Sequence, residues 1–144
     1  KNRQFNTTNN PLVVAFITGA DLMISKKVFQ EVGGFDENFF MYYEDSDLCN
    51  YVKNLGYSVV SIPTAKIIHL EGKSFDFSDK REERIFKGRK VYFDKHYSPF
   101  YNKVADLLNI LTIRVAILIC FIAGKTAQKN KYSTRLEIYK SLMK

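Results

Sequence analysis

An α/β fold with short strands, continued by a helical extension, is predicted by three observations in this 144-residue chain. A β-branched apolar run, PLVVAFITGA, precedes a helix-like segment. Apolar positions then recur at helical spacing beyond an acidic cluster, and a long apolar stretch before a basic tail closes the chain. With 46% hydrophobic residues and no disordered bias, the chain can bury one ordinary core.

The first run, Pro11 to Ala20, is bounded by Asn-Pro and by Gly19 and reads as a buried strand. In SKKVFQEVGG, Ser25 is an N-cap, and Val28, Phe29 and Val32 make an apolar stripe. Gly33 supplies the left-handed stop that residues with side chains resist. FDENFFMYY places five aromatics among nine residues, too much apolar surface to leave in water, so it packs over a core or lines a pocket. Leu48, Tyr51, Val52 and Leu55 mark a helix from Asp45 to Leu55, which Gly56 ends. YSVVSIP and AKIIHL read as two short strands parted by Pro63, with His69 near the exit of the second. After Ser78 the chain is helical again, with Ile85, Phe86, Val91, Tyr92 and Phe93 supplying apolar contacts.

Charge and cysteines narrow the class. Residues 1–123 hold 16 basic and 14 acidic residues, whereas residues 124–144 hold six and one, so the net +7 sits mostly in the tail. Such a tail suits nucleic acid or an anionic membrane surface, and no nucleic-acid motif accompanies it. Cys49 and Cys120 fit neither a disulfide framework nor a metal-ligand spacing, and no secretory signal opens the chain, so a reducing, cytoplasmic compartment is the expectation. A first residue other than methionine and a polar leader over residues 1–11 mark it as a piece of something longer.

The stretch YYEDSD sets Glu44, Asp45 and Asp47 at a helix N-terminus. Acids there complement the free N–H groups, worth roughly 0.3 to 1 kcal/mol each, and one would suffice. Three crowded carboxylates repel, so at least one should be harder to ionise unless a cation or ligand is present, and such a group is a better general base. Capping and catalysis both stay open on this ground. Asp45-Ser46-Asp47 opens a helix instead of ending a strand, so it is not assigned as a metal site, and Cys49 and Asn50 exclude an EF-hand loop.

The order of pieces resembles family 2 glycosyltransferases of the GT-A fold, particularly bacterial rhamnosyltransferase-like enzymes. Those pieces are the strand ending in Gly19 and Ala20, the helix ending in GGFDE, the EDSD cluster, GY before a strand, and His69 followed by Gly72 and Ser74. The resemblance covers roughly residues 12–97 and implies a partial GT-A (nucleotide-diphospho-sugar transferase) fold. Residues 12–100 would form its acceptor-side half and residues 101–144 a helical extension with the basic tail. It further implies an inverting transfer of a sugar from a nucleotide-diphosphate donor to a glycan or lipid-linked acceptor, in bacterial cell-surface polysaccharide synthesis. Asp45 would be the general base and Glu44 would bind acceptor or donor sugar. Asp47 would brace the helix start, Gly19 and Ala20 would line the sugar, and Tyr43 with Phe39, Phe40 and Tyr42 could stack on a ring or plug the core. His69 would complete a site for Mg or Mn in the full-length enzyme, or be a structural histidine; His96 receives no catalytic role. The family's nucleotide-binding half is missing, so the piece alone is expected to be inactive.

From Val104 to Lys125 the sequence is apolar, but Asp106, Asn109 and Arg114 interrupt it and leave an unbroken run of only ten residues. Packing on the core, a homodimer through these helices, and peripheral contact with the inner face of the plasma membrane are all open; a true span is the least favoured. A noncatalytic docking module, on a membrane or a protein, is the rival to the enzyme reading.

Overall fold

The computed structural model describes residues 8–68 and 78–143, which fall into two compact units divided after residue 74.

In the first unit the order is β1 (Leu12–Val13), α1 (Lys26–Glu31), α2 (Glu44–Asn54) and β2 (Val60–Ser61). The strands pair antiparallel, Leu12 opposite Ser61 and Val13 opposite Val60, and Val14 N–H extends the pairing to the Val59 carbonyl at 2.9 Å. The ladder is far shorter than the buried strand read over residues 11–20. A strand buried on both faces needs partners on both edges; among the described residues β1 has one, and Leu12 and Val13 remain exposed. Residues 65–68, read as a strand, are also unpaired as such, with Ile68 exposed. From the first segment Val14 and Ile17 instead join Leu22, Ile24, Val28 and Val32 around Cys49, Val52 and Val59, whereas Ile67 and Ile68 of the second stay exposed.

The helices begin and end on local chemistry. Ser25 Oγ accepts the Val28 N–H at 3.3 Å to open α1. At its end the Gly33 N–H reaches the Gln30 carbonyl and the Gly34 N–H the Phe29 carbonyl, a Schellman pair that needs the φ of 85° at Gly33. The same pair of bonds closes α2 beyond Leu55.

The second unit is three helices: α3 (Ser78–His96), α4 (Pro99–Ile122) and α5 (Thr126–Leu142). Ser98 Oγ accepts the Tyr101 N–H at 3.3 Å and Pro99 fills the first turn of α4. A three-residue link through Gly124, with φ of 66°, turns the chain so that α5 runs back along α4. Phe86, Ile113, Cys120, Leu136 and Tyr139 are buried between the helices, Phe86 meeting Tyr139 edge to face at 4.7 Å. Arg89 binds Asp106 at 2.9 Å, and the Tyr139 hydroxyl donates to the same carboxylate oxygen. The adjoining pocket holds about 20 Å³, room for about one water and far too little for a sugar.

The polar residues expected to break the apolar run do not break α4. It is continuous for 24 residues, and among the described residues it is a helix long and apolar enough, by length and composition, to cross a membrane.

Candidate functional site

The acidic cluster stands where the sequence places it, in the first turn of α2. Two consecutive tyrosines bring the chain there in left-handed backbone, Tyr42 at φ 71° and Tyr43 at φ 72°. Side chains crowd the backbone in that region, so the pair stores strain where the acids begin. Tyr43 makes no side-chain cap to the helix, although the Asp47 N–H donates to its carbonyl at 2.9 Å.

Asp45 is held from two directions. Its Oδ2 accepts the Gly19 N–H at 3.1 Å, across 26 residues of sequence. Its Oδ1 accepts the Ser46 N–H at 2.7 Å and the Ser46 hydroxyl at 3.3 Å. Gly19 lies close, since a Cβ there would stand 3.9 Å from the Asp45 Cβ. Thus Gly19 and Asp45 are joined directly, with Ala20 adjacent in the chain and exposed. Asp21 is a turn residue, its N–H on the Thr18 carbonyl at 3.1 Å and its carboxylate accepting the Thr18 hydroxyl at 2.7 Å.

The other two acids occupy different surroundings. Asp47 is 2% exposed and points into the unit. Burial pushes the Glu44 carboxyl above the ordinary carboxylate range; its own backbone N–H opposes this and the negative charge of Asp45 adds to it. Glu44 Oε2 is buried with no hydrogen-bond partner among the described residues. Crowded carboxylates do shift one of their number, and burial is the larger cause.

The aromatics divide. Phe39 is buried, Phe40 is 79% exposed, and Tyr42 and Tyr43 are half-buried. Ser46 and Thr18 were not singled out in the sequence. Their only signal is a hydroxyl residue between or beside acids, which is too common to select them. Cys49 has its thiol 4.0 Å from the Ile17 carbonyl and is driven up from the ordinary thiol range, chiefly by burial, which makes it a core residue and not a nucleophile.

His69, Gly72 and Ser74 lie outside the described residues. Among the described residues no three His, Cys, Asp or Glu side chains converge to hold a metal ion, and Asp45 Oδ1 already accepts two bonds from Ser46. His96 packs its ring 4.6 Å from that of Tyr92.

Residues 2–88 match the family described as "Glycosyltransferase like family 2". The chain belongs to this family. The family 2 region takes in α1, α2 and both strands and ends inside α3. The chain is 38% identical over 61 residues, 42% of its length, to the "N-acetylglucosaminyl-diphospho-decaprenol L-rhamnosyltransferase" of Mycobacterium tuberculosis. It is 35% identical over 80 residues, 55% of its length, to the "Uncharacterized protein y4gI" of Sinorhizobium fredii. The chain spans 20% of the length of the first relative and 9% of the second. No solved structure matches it.

Proposed function

We propose that the chain is the acceptor-side part of an inverting glycosyltransferase of the GT-A fold, and that Asp45 is its general base. The observation that carries this reading is the Gly19 N–H bond to Asp45 Oδ2. It ties the glycine of one motif piece to the carboxylate of another, and a base for a single displacement must be held still opposite the leaving group. The Ser46 contacts fix the remaining torsion of the Asp45 side chain through Oδ1, while Oδ2, with one bond from Gly19, keeps a lone pair for an acceptor hydroxyl.

Glu44 is assigned to sugar binding. An unpartnered buried carboxyl oxygen costs roughly 1 to 3 kcal/mol, and a sugar hydroxyl would relieve that. Asp47 braces the helix start, and Gly19, Ala20 and Tyr43 border the sugar. The donor is a nucleotide-diphospho-sugar. By likeness to the mycobacterial relative, the acceptor is a lipid-linked diphospho-glycan handled at the cytoplasmic face of the membrane, in polysaccharide or cell-wall synthesis. A divalent cation, with His69 as a ligand, remains part of the proposal for the full-length enzyme; the described residues do not form its site, and no step here uses it.

The test is turnover of the full-length protein with nucleotide-diphospho-sugars and a polyprenyl-diphospho-N-acetylglucosamine acceptor, followed by anomeric analysis of the product. Asp45→Asn should lower kcat roughly a hundred- to ten-thousandfold. Glu44→Gln should raise KM more than it lowers kcat. Wild-type turnover by Asp45→Asn, or a product of retained configuration, overturns the assignment. The isolated 144-residue chain should show no turnover; if it turns over, the inactivity of the piece is refuted.

A further inference from the structure

We infer that α4 and α5 form an antiparallel hairpin that lies in the plane of an anionic bilayer, with the open face of α4 in the acyl boundary. The inference does not rest on the transferase reading. On α4, Val104, Leu108, Leu111, Val115, Leu118 and Ile122 are all exposed, between 41% and 76%. At the helical repeat they share an arc of about 80°. Asp106, Ile113 and Cys120, on the opposite side, face the protein. A stripe this long, with nothing charged in it, is a surface that water does not tolerate without a partner.

Three occupants fit an apolar helix face: the interior of a bilayer that the helix crosses, a second copy, or the bilayer surface. The hairpin excludes the first. The Tyr139 hydroxyl bonds Asp106, and the Cys120 thiol lies 4.0 Å from Gln128 Oε1, so α5 is fastened to α4 near both ends. Sending α4 across would drag Lys129, Lys131, Arg135, Glu137 and Lys140 into hydrocarbon with it.

A second copy fits less well than lipid. The stripe has the 4,3 spacing of a coiled-coil seam, but the apolar surface runs on past it to Leu107, Ile119 and Phe121, all exposed. A seam closed in water carries complementary charges at those flanks. Here the flank holds Arg114 and Lys103, both exposed, which would repel their copies but can reach up to phosphates.

Charge selects the lipid. From residue 99 to 142 there are seven basic residues and two acidic, and one of those acids, Asp106, is already bound to Arg89. Lys129 stands 5.7 Å over the Phe121 ring, which puts a cation at the rim of the apolar face, the arrangement of an interfacial amphipathic helix. Phe100 and Tyr101, both exposed, place aromatic rings at the other end of α4.

The experiment is flotation of the full 144-residue chain with vesicles of phosphatidylcholine alone or mixed with phosphatidylglycerol. Binding should favour the anionic vesicles. Lys125→Gln with Lys129→Gln should weaken that binding roughly 30-fold and leave neutral binding unchanged. Leu111→Glu with Val115→Glu should abolish both, with helix content by circular dichroism unchanged. Because the chain has no tryptophan, Phe100→Trp, Leu111→Trp and Ile122→Trp report depth singly; all three should be quenched equally by shallow brominated lipid. Deep quenching at residue 111 with shallow quenching at the ends means a span and overturns the inference. Failure to float, or flotation indifferent to lipid charge, overturns it too. A concentration-dependent dimer with no vesicle binding gives the face to a second copy.

Discussion

Tyr43 carries the sharpest local conflict between residue and backbone. A left-handed φ costs a side-chain-bearing residue on the order of 1 kcal/mol, a cost that glycine would not bear. The comparison that isolates the strain is Tyr43→Gly against Tyr43→Ala, since both lose the ring and only glycine relieves the backbone. The glycine variant should be the more stable in urea unfolding by about 1 kcal/mol, the reverse of the order of these residues inside a helix and more than the few tenths by which an N-cap ordinarily favours glycine. Equal stability, or a more stable alanine variant, would remove the claim of strain. If the tyrosine ring also serves the sugar, both variants should lose turnover in the full-length enzyme, and the glycine variant would then gain stability over alanine without gaining activity.

At the scale of elements, the half-buried pair Arg89 and Asp106 and the buried Tyr139 fasten α3, α4 and α5 together. Burial, and then the hydrogen bond to Asp106, push the Tyr139 hydroxyl from its usual 10 up to about 12. A folded pKa above the unfolded one means that the folded state holds the proton longer. The stability this gives is complete below pH 10 and is lost as the pH rises through 12. The advantage of wild type over Tyr139→Phe, on the order of 2 kcal/mol in neutral solution, should therefore shrink between pH 10 and 12. A pH-independent difference in urea midpoints across that range would contradict the assignment.

The same elements show what a sequence reveals. Ser25, Gly33 and Gly56 announced the ends of α1 and α2 because a cap is settled within a few residues. The extent of β1 was not legible, because a ladder depends on a partner some 48 residues away. Asp106 and Asn109 read as interruptions of an apolar helix, whereas Asp106 marks the face that packs, its charge met by Arg89. The acids of α2 were legible as a cluster. Which of them would be buried was not, since Asp47 and Glu44 are told apart only by what folds over them.

For the molecule as a whole, the decisive feature is that family membership and folding unit do not share a boundary. The family region ends at residue 88, inside α3, while the contacts of α3 are with α4 and α5. Phe86 thus lies in the family region by sequence and in the helical unit by packing, 4% exposed against Tyr139. Units of 74 and 70 residues have small cores, Cys49, Val52 and Val59 in one and Phe86, Leu136 and Tyr139 in the other, so each sits near the lower limit of independent stability. Removing a large buried ring costs about 3 to 5 kcal/mol, most of what such a unit has. Phe86→Ala should therefore strip amide-exchange protection from α4 and α5 and leave α2 near its wild-type protection. Were α2 to lose protection in parallel, the two cores would be one cooperative system, and the acidic helix tip would depend for its order on the same helices that we assign to the membrane surface.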